Sequence, residues 1–332
     1  MKIFLTGATG FIGSHFLSSC LARGHTVVCL LRSPSQVHAI EARGAQAWLN
    51  PSGDEANLIA ALAGVDCVIH AAGCRDLSGP RWVFEKSNIE LTQYLLSAVM
   101  QAGVKQLIYI SAASVAMGEA MAMINVSESA ALSLRDELPY TRSKVLAERS
   151  VLAAGESGMK VLVLRPSFVW GDGDSIDTEI GPASNRGQFG WFSQGRYPFA
   201  TCSIANLCDA LQHAMQFPRS GCIFNISDPE PLEFRAFMSQ RLEIGGFRVP
   251  TLSVPRKLAW GLGAFTETGW KYLPFPGKPP IVREIVRLMG FPFTVSIERA
   301  KHELGYLAPH SIEAGMLSLA SLTQARQDHA QQ

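Results

Sequence analysis

Short runs of consecutive apolar residues alternate with segments of helical period through the first half of the chain. KIFLTG (2–7), TVVCLLR (26–32), AQAWLN (45–50), VDCVIHAAG (65–73), QLIYIS (106–111) and KVLVLRP (160–166) read as strands. Their apolar residues are continuous rather than alternating, which marks strands covered on both faces. Between them, GSHFLSSCLARGH (13–25), QVHAIEARG (36–44), NLIAALAG (57–64), FEKSNIELTQYLLSAVMQAG (84–103) and YTRSKVLAERSVLAAGESG (140–158) read as helices. This alternation predicts an α/β fold: a doubly wound, Rossmann-type parallel sheet with right-handed connections.

The pattern loosens after residue 171. SIANLCDALQHAM (203–215) returns to a helix and CIFNIS (222–227) to a strand. The spacing therefore predicts a dinucleotide-type domain over 1–170 and 202–228. A smaller substrate domain takes 171–201 and 229–332, capping the carboxyl edge of the sheet. The polar tail QARQDHAQQ (324–332) reads as frayed.

Composition narrows the class. The 332 residues are 47% hydrophobic and 17% charged, which excludes a disordered chain. A net charge of +1 argues against a nucleic-acid partner, which would call for a basic face. The seven cysteines form no C-x-x-C pair and the eight histidines no H-x-x-x-H pair, so no metal site is expected. MKIFLTGATG meets its glycines too early for a signal peptide, and no stretch gives 18 uninterrupted apolar residues. The expectation is a cytoplasmic protein with reduced cysteines.

Chemistry enters at TGATGFIG (6–13), directly after the first strand. Gly7, Gly10 and Gly13 lack the side chains that would keep a backbone turn away from a pyrophosphate, and the next helix offers its positive N-terminal end. The second strand ends in LLRS, with Arg32 where a carboxylate would receive a ribose 2′-hydroxyl. A guanidinium suits a 2′-phosphate, so NADP(H) is favoured over NAD(H). In PYTRSK, Tyr140 and Lys144 stand four residues apart on one helix face. A free phenol, with a pKa of about 10, shuttles protons poorly near neutrality, and a neighbouring ammonium lowers that value. The pair is expected to move a proton at an oxygen while hydride moves at carbon.

With these motifs in place, the chain resembles the extended short-chain dehydrogenase/reductases. The likeness rests on TGATGFIG, GVDCVIHAAG, SNIELTQYLLSAV, PYTRSK and LRPSFVWGDGD, and spans nearly the whole length. The segment from Pro279 to Met316 is similar to the 3β-hydroxysteroid dehydrogenase and sterol-4-carboxylate 3-dehydrogenase branch. The resemblance implies that Gly7, Thr9, Gly10, Phe11, Ile12 and Gly13 hold the pyrophosphate. It places Ala71, Ala72 and Gly73 along the adenosine, with Asn50 and Arg32 on the same side. Pro166, Ser167, Phe168 and Val169 would contact the nicotinamide. Tyr140 becomes the general acid/base, Lys144 its tuner and ribose anchor, and Asn88 a structural tie. A homodimer through the helices of 83–102 and 140–154 is also implied.

Two departures stand out. The family's usual Ser or Thr falls on Ala113, so three readings stay open: Ser114 supplies the hydroxyl, Ser111 supplies it from the cofactor side, or no side chain does. Ser203 and Ala205 stand where the steroid branch carries His and Asp. The segment 245–293 holds seven basic residues against Glu267 and Glu284, interleaved with aromatics and prolines. It reads as packing of the small domain or as an apolar substrate mouth touching a membrane surface. The leading expectation is an NAD(P)(H)-dependent oxidoreductase interconverting a secondary alcohol and a ketone on a bulky, sterol-like or lipid-like molecule. The alternatives are a nucleotide-sugar epimerase or dehydratase with retained NAD, and a cofactor-binding sensor of weakened turnover.

Overall fold

Successive strand residues face opposite sides of a sheet, and here both sides are apolar. Ile3 and Leu5 pack into one core with Phe16, Leu17, Leu207 and Leu211. Phe4 points into a second core with Leu58, Leu95, Val99 and Val151. A computed structural model describes residues 1–273 and 275–330. Five strands, β1 (Lys2–Thr6), β2 (Thr26–Leu31), β3 (Gln46–Leu49), β4 (Cys67–His70) and β5 (Gln106–Ile110), join Lys160–Pro166 and Cys222–Ile226 in one sheet. Its order is Cys222–Ile226, Lys160–Pro166, β5, β4, β1, β2, β3, and every pairing is parallel. The chain winds outward from β1 to β3, then crosses to β4 on the other side of β1. The crevice at the carboxyl ends of β1 and β4 is the topological switch point, where such sheets bind ligands.

A second group of elements covers that edge. Leu232–Glu233, Pro198–Phe199, Phe293–Val295 and Met123–Val126 form a four-stranded sheet. Beside it lies an aromatic core of Trp170, Trp191, Tyr197, Phe199, Phe234 and Phe237. Met123–Val126 lies early in the chain yet pairs with Phe293–Val295, so the loop after β5 ties the two groups together.

Three local readings change. The helix read over 84–103 begins at Arg81, runs through a π-bulge at Glu85–Glu90 and continues as Leu91–Gln101. The polar tail is helical: Ile312–Ala330 is one helix. Gln324 donates to Asp328 at 2.8 Å, and Arg326 grips Asp172 with two bonds of 2.7 Å. The helix is held at its start by Met316 and Leu319, buried in the aromatic core, and these polar pairs support its later turns. Gln331 and Gln332 lie outside the described residues, as does Pro274. The segment 245–293 carries a 17-residue helix, Arg256–Tyr272, and a shorter one, Arg283–Met289. No helix among the described residues is long and apolar enough to cross a membrane.

Candidate active site

The glycine turn is shaped by contact with β4. Gly7 has φ +76°, a region that favours glycine, and a Cβ there would lie 2.8 Å from the Ala72 nitrogen. A Cβ on Gly13 would lie 2.1 Å from the Gly7 carbonyl oxygen, so the helix α1 (Phe11–Ala22) can approach only as it does. Gly10 differs: its Cβ would meet only Gly7 O, at an ordinary 3.4 Å. Packing within the protein therefore does not require glycine there. No side chain caps α1, so its N-terminal N–H groups are free to hold an anion. Together, the cradle and the uncapped helix fit a dinucleotide pyrophosphate.

Arg32 is exposed just past β2, with no hydrogen bond or ion pair among the described residues. Asn50 is buried, and its side chain is committed: it donates to Asp54 O at 2.9 Å and to the Tyr94 hydroxyl at 3.2 Å, and accepts from Asp54 N. These bonds hold the loop that starts the helix Glu55–Ala61.

A buried polar relay runs from the glycine turn to the Tyr140 helix, Pro139–Glu156. Ala72 N donates to Thr6 Oγ1, which lies 2.7 Å from His70 Nδ1. His70 Nε2 lies 2.9 Å from Thr92 Oγ1, which donates to Asn88 O. Burial and the Lys144 charge lower the His70 pKa to about 3, so the ring is neutral. Because the one Thr92 hydroxyl proton goes to Asn88 O, Thr92 accepts from Nε2–H, so the ring proton is on Nε2 and the Thr6 hydroxyl donates to Nδ1. Asn88 accepts from Cys74 N at 2.7 Å and donates to Cys74 O and to Ser143 Oγ. Ser143 donates in turn to Tyr140 O. Asn88 sits in the π-bulge, whose widened turn re-aims its side chain. It is the tie expected from the sequence, reaching both walls of the crevice.

Lys144 is buried, donates to Ile110 O at 2.7 Å and lies 4.4 Å from the centre of the Tyr109 ring. Burial lowers its pKa to about 7. The expected lowering of the phenol does not appear. Burial and the Glu284 carboxylate push Tyr140 up to about 12, opposed by Arg75. Lys144, lowered to about 7 and held on the Ile110 carbonyl, does not offset burial and the Glu284 carboxylate at the phenol. Glu284 was not foreseen. It comes from the helix Arg283–Met289, is 1% exposed, and accepts from Tyr140 N at 2.8 Å and Thr141 N at 2.7 Å. It thus caps the Tyr140 helix, and burial raises its own pKa to about 7. Nothing local to VREIV signals a cap whose N–H donor lies 144 residues away.

The three readings of the missing hydroxyl separate. Ser111 is buried and donates to Glu148 at 2.7 Å; Glu148 is held by Arg165 in a buried ion pair. Its hydroxyl is directed into that cluster. Ala113 packs with Met117 and Phe293. Ser114 follows in the same short helical turn, Ala113–Ala116, and its Oγ is buried without a partner. Ser167 Oγ, beyond the strand Lys160–Pro166, is likewise unpartnered. Most buried polar groups are paired, so both hydroxyls have hydrogen-bonding capacity left over. Pro166 ends that strand, Ser167 N donates to Ile226 O, Phe168 lies against Phe199 and Phe237, and Val169 against the first core. Ser203 caps the helix Ile204–Gln216 and, with Trp170, Thr201 and Asn206, donates to the buried Asp228. Asp228 is the polar organiser of this region, and the sequence reading missed it.

Comparison with known proteins follows this geometry. The model of the NAD dependent epimerase/dehydratase family matches residues 3–227. A ketoreductase of 4-hydroxy-2-methyl-3-oxo-4-farnesyl-3,4-dihydroquinoline-1-oxide from Stigmatella aurantiaca is 29% identical, covering 98% of both chains. A 3-beta-hydroxysteroid dehydrogenase from Mycolicibacterium neoaurum is 27% identical, over 95% of this chain and 89% of that one. The solved dTDP-glucose 4,6-dehydratase DesIV from Streptomyces venezuelae, with NAD and TYD bound, superposes with a TM-score of 0.75 at 20% identity, covering 99% and 98% of the two chains.

Proposed function

We propose, from the premise that the chain belongs to the NAD dependent epimerase/dehydratase family, that it is an NADP(H)-dependent oxidoreductase that reduces a ketone on a bulky apolar molecule. The observation that carries the reading is Tyr140, with Lys144 one turn on, tied by the Asn88 relay to a glycine turn whose open Gly10 suits a dinucleotide pyrophosphate. The relatives named for a farnesylated ketone and for a steroid support the substrate class.

A bound nicotinamide supplies or accepts hydride at its C4. The chain's residues manage the oxygen. With its pKa near 12, the Tyr140 phenol is neutral at physiological pH, so it is poised to give a proton to a carbonyl oxygen that gains negative charge. The Ser114 hydroxyl, unpartnered in the turn after β5, would donate a second hydrogen bond to that oxygen. Lys144 anchors the helix face beneath Tyr140. Arg32, exposed and unpaired, is the reader of the 2′-phosphate.

The test has two arms. Fluorescence titration of nucleotide-free protein should favour NADPH over NADH, and Arg32→Ala should remove the preference. Turnover on a panel of hydrophobic 3-oxo acids and 3-oxosteroids should fall at least a thousandfold in Tyr140→Phe while NADPH binding persists. Undiminished turnover in Tyr140→Phe would reject the mechanism. NADH preference with retained nucleotide would favour the sugar-nucleotide alternative, and nucleotide binding without turnover on any ketone the sensor.

A further inference from the structure

The helix Arg256–Tyr272 buries little of itself. Only Ala259 and Gly263 are buried along its 17 residues. Its inner edge rests on the chain at Val282–Arg283: a Cβ on Gly263 would lie 2.9 Å from Arg283 N, and Thr266 donates to Ile281 O. The outer face is apolar and open to solvent. Leu258 is 57% exposed, Leu262 45%, Phe265 77% and Tyr272 71%, with Leu252, Leu273 and Phe275 exposed beyond the two ends. The spacing from 258 to 262, 265 and 272 puts the four on one stripe, roughly 21 Å long at the α-helical rise.

The charges around this stripe have one sign. Both acids of the segment are turned inward: Glu267 holds Arg283, and Glu284 is buried on the Tyr140 helix. Lys257 and Lys271 are exposed with no ion pair among the described residues, and Lys271 lies 5.1 Å from the Tyr272 ring centre. An exposed apolar stripe with aromatic residues and unpaired cations is the make-up of a helix that lies in a lipid interface. We propose that Arg256–Tyr272 docks on an anionic lipid bilayer, with Leu258, Leu262, Phe265 and Tyr272 among the acyl chains and Lys257 and Lys271 at the headgroups.

The charge pattern decides the occupant. A second copy of the chain meeting this stripe about a two-fold axis would set lysine against lysine. The stripe is convex and longer than a small molecule. The docking does not rest on the proposed reaction, and each can fail without the other. If both hold, a lipid-like substrate reaches the protein one helix away from Tyr140, through Arg283–Met289.

Cosedimentation of the purified full chain with vesicles tests this, using phosphatidylcholine alone and phosphatidylcholine with phosphatidylglycerol. Binding should favour the phosphatidylglycerol vesicles and weaken with salt. Leu262→Ser with Phe265→Ser should cut partitioning on the order of a hundredfold. Lys257→Gln with Lys271→Gln should cut it by roughly fivefold per lysine on anionic vesicles only. Retained NADPH binding shows that each variant is folded. The proposal is overturned if the native chain pellets with neither vesicle, or if the serine variant pellets as well as the native chain. It is also overturned if sedimentation velocity shows the serine changes splitting a dimer while vesicles capture nothing.

Discussion

The crevice beside β1 and the helix Arg256–Tyr272 are both reached from glycine-containing sequence, yet they obey opposite rules. One relay in the crevice is paired throughout: Thr6, His70, Thr92, Asn88 and Ser143 hand one hydrogen bond to the next. The contacts at Gly7 and Gly13 leave no room for a methyl group. On Arg256–Tyr272 most side chains touch solvent, and Gly261 has nothing within 4 Å of its Cβ position. Packing fixes the first region to tenths of an ångström. The second is specified by the kind of surface it shows, so changes there should alter partners and leave the fold intact.

The largest effect is expected at the buried ion pair behind the crevice. Glu148→Ala leaves Arg165 buried and uncompensated and should cost about 3–5 kcal/mol in chemical denaturation. A cost under about 1 kcal/mol would mean that this side of the molecule is no more tightly specified than the other. The glycines sharpen the contrast next. Gly13→Ala should destabilise by roughly 1–3 kcal/mol as α1 is pushed from the turn. Gly10→Ala should melt within about 1 kcal/mol of the native protein yet bind NADPH at least tenfold more weakly. Equal melting losses for both would remove the reason for assigning Gly10 to a ligand.

Glu284 joins the two regions and carries a pH signature. Its pKa in the fold, about 7, lies above the ordinary 4.5. The fold therefore holds this proton more tightly than the unfolded chain does. The stabilisation is complete below about pH 4.5 and is lost as pH rises through 7, with an upper size on the order of 3 kcal/mol. Glu284→Gln stays neutral throughout, so the advantage of the native protein over it should shrink between pH 4.5 and 7 in thermal melts. A difference that does not vary with pH would mean that the cap is not titrating. The smallest effect is expected at Arg326→Ala. That pair with Asp172 is largely exposed, and its loss should cost less than about 1 kcal/mol.

Much of the catalytic side was legible in local sequence. Strand–helix alternation, the glycine spacing and the Tyr140–Lys144 interval each depend on residues within one turn or one strand of each other, so backbone geometry alone relates them. Asn88 was legible as a tie. The choice among Ser111, Ala113 and Ser114 was not, because which hydroxyl is free depends on Glu148 and Arg165 from other elements. The phenol's pKa was misjudged for the same reason: spacing shows that Lys144 is near but not that Ile110 O holds it, or that a carboxylate arrives from residue 284.

The sequence by itself determined the parallel sheet, the glycine turn and the Tyr140–Lys144 interval on one helix face, since these follow from periodicity and from which side chains are missing. Only the tertiary structure decided which polar groups are spent and which are free, and which apolar residues are core and which are surface. Both are settled by contacts between separate elements, from 34 residues apart for Lys144 and Ile110 to 144 for Glu284 and Tyr140, and desolvation acts on a group through everything packed around it, not through its neighbours in the chain.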